Sequence, residues 1–471
     1  MPVLVPFVFR FAELGWLGLA IAALDVVAVG RALLRGHGVT STLAWLFAIL
    51  AFPGAGAVAY LLLANPSVRW TVKRKMIAKR RSGSSQETGV DDRMLGLAEG
   101  LTGLPATARN RVEPLAGDQM AFARIEEVLR AATRSIWAEY YIVRNDETGH
   151  RFLDLLAERA RAGVAVRLLY DAVGSMGLDA VRVRAIRAAG GVVVPFLPVN
   201  PFRRRWAVHL RNHRKLIVVD GAHVFTGGMN VGDEYSGRSR LKGGQHFRDS
   251  HLHIEGPAVR HFAEVFIEDW SFAAGEALEP PAVMAEVTGT ALVCPLPSGP
   301  DQRWNASAHA FFGGIMSARK TCYLTTPYFA PDEATLFALI TAAQGGVDVR
   351  ILLPQKADVP LVSSAARSFY RDLLRGGVRI FEYRPSMLHA KTMVVDDLWG
   401  IVGSANVDMR SFRLNFEIGA LVHDPVFAVP LARRFLDELK DSNEITLDGL
   451  ASEGMARRLA QGAARLMSPL L

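Results

Sequence analysis

The stretch RNHRKLIVVDGAHVFTGGMN, Arg211 to Asn230, arranges polar residues at fixed steps around an apolar run. It returns as LHAKTMVVDDLWGIVGSAN, Leu388 to Asn406. Both copies obey one pattern: H-x-K, four residues, D, six residues, G-[GS]-x-N. The first copy supplies His213, Lys215, Asp220, Gly227, Gly228 and Asn230. The second supplies His389, Lys391, Asp396, Gly403, Ser404 and Asn406. Residues two apart on a strand share a face, so the His and Lys of each copy project together while LIVV or TMVV anchors the strand. The glycines let backbone approach a ligand closely.

The repetition extends outward. EYYIVRNDETG at Glu139 answers TTPYFAPDEAT at Thr325, AGVAVRLLYD at Ala162 answers GGVDVRILLP at Gly345, and AGGVVVPFLP at Ala189 answers RGGVRIFEYRP at Arg375. Two copies in the same order indicate two similar domains rather than a solenoid, which needs more and shorter units. Within each copy an apolar helical pattern stops at glycine and a β-branched strand follows, as in FLDLLAERARAG before VAVRLLY. The expectation is an α/β fold of two tandem domains, residues 112–280 and 281–445, with helices on both faces of the sheet and active groups at strand ends.

The N-terminal segment is of another kind. Residues 41–64 carry no charge, and about 20 apolar residues cross a bilayer. Pro53 within them is tolerated in a membrane helix. An earlier span, about 8–30, is apolar from Leu14 to Gly30 except for Asp25, with Arg10 and Glu13 at its edge. Residues 1–68 therefore read as a two-helix transmembrane hairpin. Seven Lys or Arg lie between Arg69 and Arg81, and only Arg31 and Arg35 lie between the spans. Cations near span ends stay on the cytoplasmic side, which places both ends of the hairpin and everything beyond it inside. Residues 69–111 read as a basic juxtamembrane segment and linker, and the basic run also suits anionic headgroups. Residues 446–471 form an amphipathic C-terminal helix, with Met455, Leu459, Ala463, Leu466 and Met467 near one face. It suits either the membrane surface or the body of the protein.

Composition agrees. Half of the 471 residues are hydrophobic and the formal net charge is +8, which favours an anionic partner. Cys294 and Cys322 lie in apolar surroundings with no CxxC and read as buried thiols. His209, His223, His246, His251 and His253 show no metal-ligand spacing. The loop NPFRRRWAVHL, with Phe202 and Trp206, suits a lipid–water interface.

Two His, two Lys and two Asn in matched positions fit a phosphodiester. One imidazole attacks phosphorus and the other protonates the leaving alkoxide. Lysines and asparagines clamp the non-bridging oxygens, so neither metal nor cofactor is required.

The paired motifs resemble the phospholipase D superfamily. Together with AWLF, YLLL, EYYI, VRLLYDAVGS, RNHRK, TPYF, HAKTMVVDD, GSANVDMRSFRLNFE and the closing SPLL, the chain resembles bacterial cardiolipin synthases of that type over nearly its whole length. The resemblance implies a multi-pass protein of the bacterial inner membrane with its catalytic domains on the cytoplasmic side. It implies that two phosphatidylglycerol molecules give cardiolipin and glycerol through a phosphohistidine. A phospholipase D-type hydrolase or transphosphatidylase with another donor, such as phosphatidylethanolamine, is the alternative.

By resemblance, His213, Lys215, Asp220, His389, Lys391 and Asp396 are the catalytic set, with His213 taken as nucleophile, although the duplication makes either order chemically possible. The aspartates are expected to brace the motif rather than to transfer protons. Asn230, Asn406 and Ser404 bind phosphate. A carboxylate on a following strand orients each histidine: Glu417 in the second half, and Asp249 in the first, with Glu234 as its rival. A nuclease is disfavoured by the two spans and by the lack of any nucleic-acid-reading motif. A non-catalytic scaffold is disfavoured by intact His and Lys in both halves.

Overall fold

A computed structural model describes residues 15–34, 39–63, 93–116, 118–198, 210–238, 246–281, 288–302 and 304–468. The basic run Arg69–Arg81, the loop residues Phe202, Trp206 and His209, and the insertion at 239–245 lie outside them. Residues 1–69 and 70–471 form two compact units.

In the first unit, helix Gly15–Leu34 is long and apolar enough to cross a membrane, the one such helix among the described residues. The second expected span is not one helix. It breaks into Val39–Ala51 and Ala55–Leu63. Pro53 has no N–H to donate and its ring clashes with the preceding turn. Gly54 adopts φ +74°, and its N–H donates to Asp25 Oδ1 at 2.9 Å. Asp25, an apparent flaw in the first span, thus satisfies backbone freed in the second, as a chain in lipid requires. Ala28, Ala32, Ile49, Ala57 and Tyr60 bury the contact between the helices.

The second unit is built on one large sheet. Its strands are β1 (Thr107–Ala116), β2 (Ser135–Tyr140), β3 (Ala165–Asp171), β4 (Val192–Phe196), β5 (Arg211–Asn212), β6 (Lys215–Val219), β7 (His223–Gly227), β8 (Phe247–Arg248) and β9 (Ser250–Glu255), then β10 (Ala291–Ser298), β11 (Thr321–Thr325), β12 (Phe329–Ala330), β13 (Asp348–Pro354), β14 (Arg379–Tyr383), β15 (Met387–Leu388), β16 (Thr392–Val395), β17 (Trp399–Gly403), β18 (Val407–Asp408), β19 (Asn415–His423) and β20 (Ser442–Ile445). Short β12 pairs with β18, and β8 with β15. The order across the sheet is β20-β14-β13-β11-β16-β17-β19-β10-β1-β9-β7-β6-β2-β3-β4. Read outward from the central β10–β1 pair, the two arms match strand for strand as far as β14 and β4, and the second arm adds an antiparallel edge strand, β20. Each has an antiparallel inner part and a parallel outer part.

The parallel strands follow from helical crossovers, Glu147–Arg161 and Ala180–Ala188 in the first repeat, Glu333–Gln344 and Pro360–Arg375 in the second. Asp146 and Asp332, 186 residues apart, cap corresponding helices by accepting from Gly149 N and Thr335 N, each at 2.9 Å. The repeats share one sheet through β1 and β10, and β1 begins at Thr107, ahead of the boundary expected at 112. The C-terminal helix Met455–Leu466 packs on Pro360–Arg375, with Arg465 over the Phe369 ring at 4.4 Å and Gln461 and Ala464 buried. Met455, Leu459 and Leu466 remain exposed on its other side.

Candidate active site

Each histidine stands just beyond a two-residue strand that docks on the other repeat. β5 runs parallel to β19, pairing Arg211 with Asn415 and Asn212 with Phe416, and His213 N–H then donates to Phe416 O at 2.8 Å. β15 runs parallel to β8 in the same way, and His389 N–H donates to Arg248 O at 2.8 Å. The duplicated elements therefore cross over to build one site.

The crossing corrects the expected pairing of the carboxylates. His213 Nδ1 meets Glu417 Oε2 at 2.9 Å, and His389 Nδ1 meets Asp249 Oδ2 at 2.6 Å. Each imidazole is oriented by the opposite repeat, not by its own. Glu234 lies on Arg144 at 2.9 Å and takes no part. Both carboxylates are fully buried. Burial alone would raise their pKa values, but each is held below its ordinary value, Asp249 by Lys391 and His389, Glu417 by His213 and Lys215. Both imidazoles shift down, chiefly because they are buried. Glu417 opposes the shift at His213, which still falls to about 4, and Lys391 adds to it at His389.

The lysines lie beneath. Lys215 Nζ donates to His213 O at 2.7 Å, and Lys391 Nζ approaches the two ring nitrogens of His389 at 2.8 and 3.1 Å. Both are buried, which depresses Lys215 well below an ordinary lysine and Lys391 to about 8.

Asp220 and Asp396 stand at the far ends of β6 and β16, away from the imidazoles, and are braces. Each takes a left-handed conformation, φ +53° and +54°. Asp220 accepts the backbone N–H groups of Thr133, Arg134 and Ser135, all at 2.8 Å. Asp396 accepts those of Arg319, Lys320 and Thr321 at 2.7–2.8 Å. Replacing Asp220 by alanine is expected to lower stability by about 1–3 kcal/mol, since three backbone donors at the turn lose one charged acceptor. A thermal melt should show the loss, while turnover per folded molecule holds.

Ser404 is engaged by protein on both sides of its hydroxyl. Its Oγ donates to Glu417 Oε2 at 2.5 Å and accepts from Ile418 N at 2.9 Å. The matching residue of the first repeat is Gly228, and a Cβ there would come within 2.1 Å of Asp249 Oδ1. The glutamate is thus propped by serine, while the shorter aspartate needs glycine's room. Asn230 Oδ1 accepts from Ile142 N at 3.2 Å and its Nδ2 donates to the Tyr235 hydroxyl at 2.9 Å. Asn406 keeps a buried amide oxygen without a partner among the described residues.

Several contributors were given no role by the sequence, although Tyr141, Asp171 and Arg214 lie in the quoted EYYI, VRLLYDAVGS and RNHRK. Tyr141 meets His213 edge-on at 4.9 Å, and Lys215 lies 5.4 Å from the same ring. Tyr235 and Phe247, both from the first repeat, hold His389 at 5.4 Å each. Arg214, buried beneath the motif, donates to Glu417 O at 3.0 Å and pairs with Asp269. Asp171 receives the Asn212 N–H at 2.9 Å and fixes β5.

His223 and His253, unremarkable in spacing, do come together with Glu255 and Glu113. His223 Nδ1 lies 3.1 Å from His253 Nε2 and 3.2 Å from Glu255, His253 Nδ1 lies 3.3 Å from Glu113, and Arg111 pairs with Glu255. The protons have acceptors within the group, and it ties β1, β9 and β7 together.

A family described as "Cardiolipin synthase, PLD-like domain" matches residues 125–270 and 313–439, and a phospholipase D-nuclease N-terminal family matches residues 23–65. A cardiolipin synthase of Halalkalibacterium halodurans is 36% identical over 97% of this chain and 95% of its own length. One from Geobacillus kaustophilus is 40% identical over 80% and 76%. The crystal structure of phosphatidylserine synthase from Haemophilus influenzae covers 81% of this chain and all of its own at a TM-score of 0.59 and 16% identity, a likeness of fold.

Proposed function

The chain belongs to the cardiolipin synthases of the phospholipase D superfamily, which are phosphatidyltransferases, and we propose that its crossed histidines carry a phosphatidyl group from one phosphatidylglycerol to the hydroxyl of a second. The observation that carries the reading is the pair of imidazoles, each with Nδ1 on a buried carboxylate of the opposite repeat. Such a carboxylate fixes the tautomer and stabilises the imidazolium formed during transfer.

His213 is the attacking group. Its Nδ1 is committed to Glu417, whereas Lys391 lies against both ring nitrogens of His389. Nε2 of His213 bonds to phosphorus, the bond from phosphorus to the glycerol oxygen breaks, and His389 delivers a proton to that oxygen. In the second step His389 takes the proton of the incoming lipid hydroxyl, whose oxygen displaces His213 from phosphorus. Lys215 and Lys391 supply positive charge at the non-bridging oxygens, with Asn230 and Asn406 alongside.

Bonds broken and bonds made are alike, so no nucleotide is needed. Supplied with phosphatidylglycerol alone, purified enzyme is expected to release glycerol and cardiolipin in equal amounts, with added glycerol reversing the reaction and a chelator without effect. Phosphatidic acid as the main product identifies a hydrolase instead. Cardiolipin only after addition of phosphatidylethanolamine changes the donor.

The apolar helix Gly15–Leu34 fits a membrane protein. The full placement proposed is a two-pass hairpin with the catalytic repeats cytoplasmic, supported by the cations between Arg69 and Arg81. A reporter fused after residue 90 is expected to stay on the cytoplasmic side; translocation of the reporter would refute the charge argument.

A further inference from the structure

Three adjacent strands set Lys215, Gly227 and His251 in line. Leu216 pairs with Thr226 and Gly227 with His251, so Lys215 stands opposite Gly227 and all three share a face. Gly227 adopts φ +150°, and a Cβ on it would lie 2.7 Å from His251 Nδ1. The imidazole therefore lies over the glycine, in the space between β9 and Lys215. It is 1% exposed, and neither of its ring nitrogens has a hydrogen-bond partner among the described residues. Burial lowers its pKa to about 4, Asp249 opposing and Lys215 reinforcing the shift, so it is neutral and holds one N–H and one lone pair.

The second repeat has glycine at the corresponding place. Gly403 N–H donates to Lys391 O at 3.2 Å and Gly403 pairs with Gly419. The atoms nearest a Cβ on Gly403 are backbone, of Ile418 and Gly419. A cavity of about 10 Å³ opens instead, against Lys391, Gly403 and Gly419 and walled by Leu296, Ser307 and Phe311. That is about the volume of one water position.

We propose that His251 is a positioning residue for Lys215: it fills the slot over Gly227, keeps water from the lysine and directs the ammonium at the phosphodiester. Lys391, beside a water-sized space, has no such neighbour. The lysine on the side of His213 is thus the more closely covered of the two. Resting on the transferase reading above, this is the side on which the phosphatidyl group is held, shielded from hydrolysis until the lipid hydroxyl arrives.

His251→Gly copies the second repeat, and full-length protein in phosphatidylglycerol micelles provides the test. The ratio of phosphatidic acid to cardiolipin is expected to rise about fivefold or more, with the protein still folded by thermal melt. Lys215 faces Glu417 and Lys391 from the second repeat, Asp249 beside β9, Asp171 at the end of β3, and the Tyr141 ring. All of these are unchanged by the substitution. Water admitted beside the ammonium favours its charged form, so the alkaline limb of kcat/KM should move up by about one pH unit. His251→Asn, which keeps an amide in the slot, should stay within about twofold of the natural ratio. Gly419→Ala fills the opposite cavity, where Ile401 Cγ2 lies at an ordinary 3.6 Å, and should leave the ratio at the natural value.

An unchanged ratio and an unmoved alkaline limb in His251→Gly overturn the proposal. So does an equal rise in hydrolysis in Gly419→Ala. Should the glycine variant unfold, His251→Ala takes its place against His251→Asn, and equal ratios in the two overturn the proposal. Natural enzyme that yields phosphatidic acid alone sinks the transferase reading instead, and the alkaline limb then decides the role of His251.

Discussion

His213→Ala and His389→Ala are each expected to lower turnover on the order of ten-thousandfold or more, because a displacement through a phosphohistidine needs one imidazole to attack and the other to move the proton. The two losses should differ in kind. Without His389 the first step lacks only its acid, so a substrate with a good leaving group, such as a nitrophenyl phosphodiester, should still phosphorylate His213 in a single burst. Without His213 no covalent intermediate forms with any substrate. Rapid acid-free quench and mass spectrometry of the 211–215 peptide distinguishes them. Phosphate trapped on residue 389 in the His213 variant would reverse the assignment.

Glu417→Gln and Asp249→Asn are expected to lower turnover on the order of a hundredfold while leaving the fold intact. The crossed pairing makes a sharper statement than the rate. Loss of Glu417 should disturb the nitrogen resonances and titration of His213, 204 residues earlier in the chain, and leave those of His389 nearly in place. Loss of Asp249 should do the reverse. In the intact protein Glu417 opposes the downward shift of His213, so Glu417→Gln should lower its pKa further. Disturbance of the histidine in the same repeat would mean that the repeats close on themselves.

The histidines, lysines and aspartates of both motifs were legible because each set sits on one continuous strand, where spacing translates directly into geometry. The two arms of the sheet were legible for the same reason, each glycine stop before a strand being local. The partner of each histidine was not. Its identity is set by parallel docking of β5 on β19 and β15 on β8, and reading carboxylates in chain order assigns them to the nearest motif. The place of Ser404 in the G-[GS]-x-N pattern suggests a phosphate contact but says nothing of Glu417, to which its proton goes. His251 hid among five histidines without spacing. Aligning Asp249 with Glu417 puts His251 against Gly419, and that inequality was the available signal. The break at Pro53 was visible, but not that Asp25 would answer it, since Asp25 lies on an earlier helix.

The crossed carboxylates also govern when the chain can first act. At about 5–20 residues per second on the ribosome, Glu417 emerges on the order of 10–40 s after His213. Through that interval the first imidazole has no partner to set its tautomer, and Asp249 waits for a histidine not yet made. A nascent chain, or one cut short before residue 417, therefore carries a complete first motif without the carboxylate that orients its histidine. Competence arrives only with the last strands, so the membrane that receives the enzyme is not exposed to half of it.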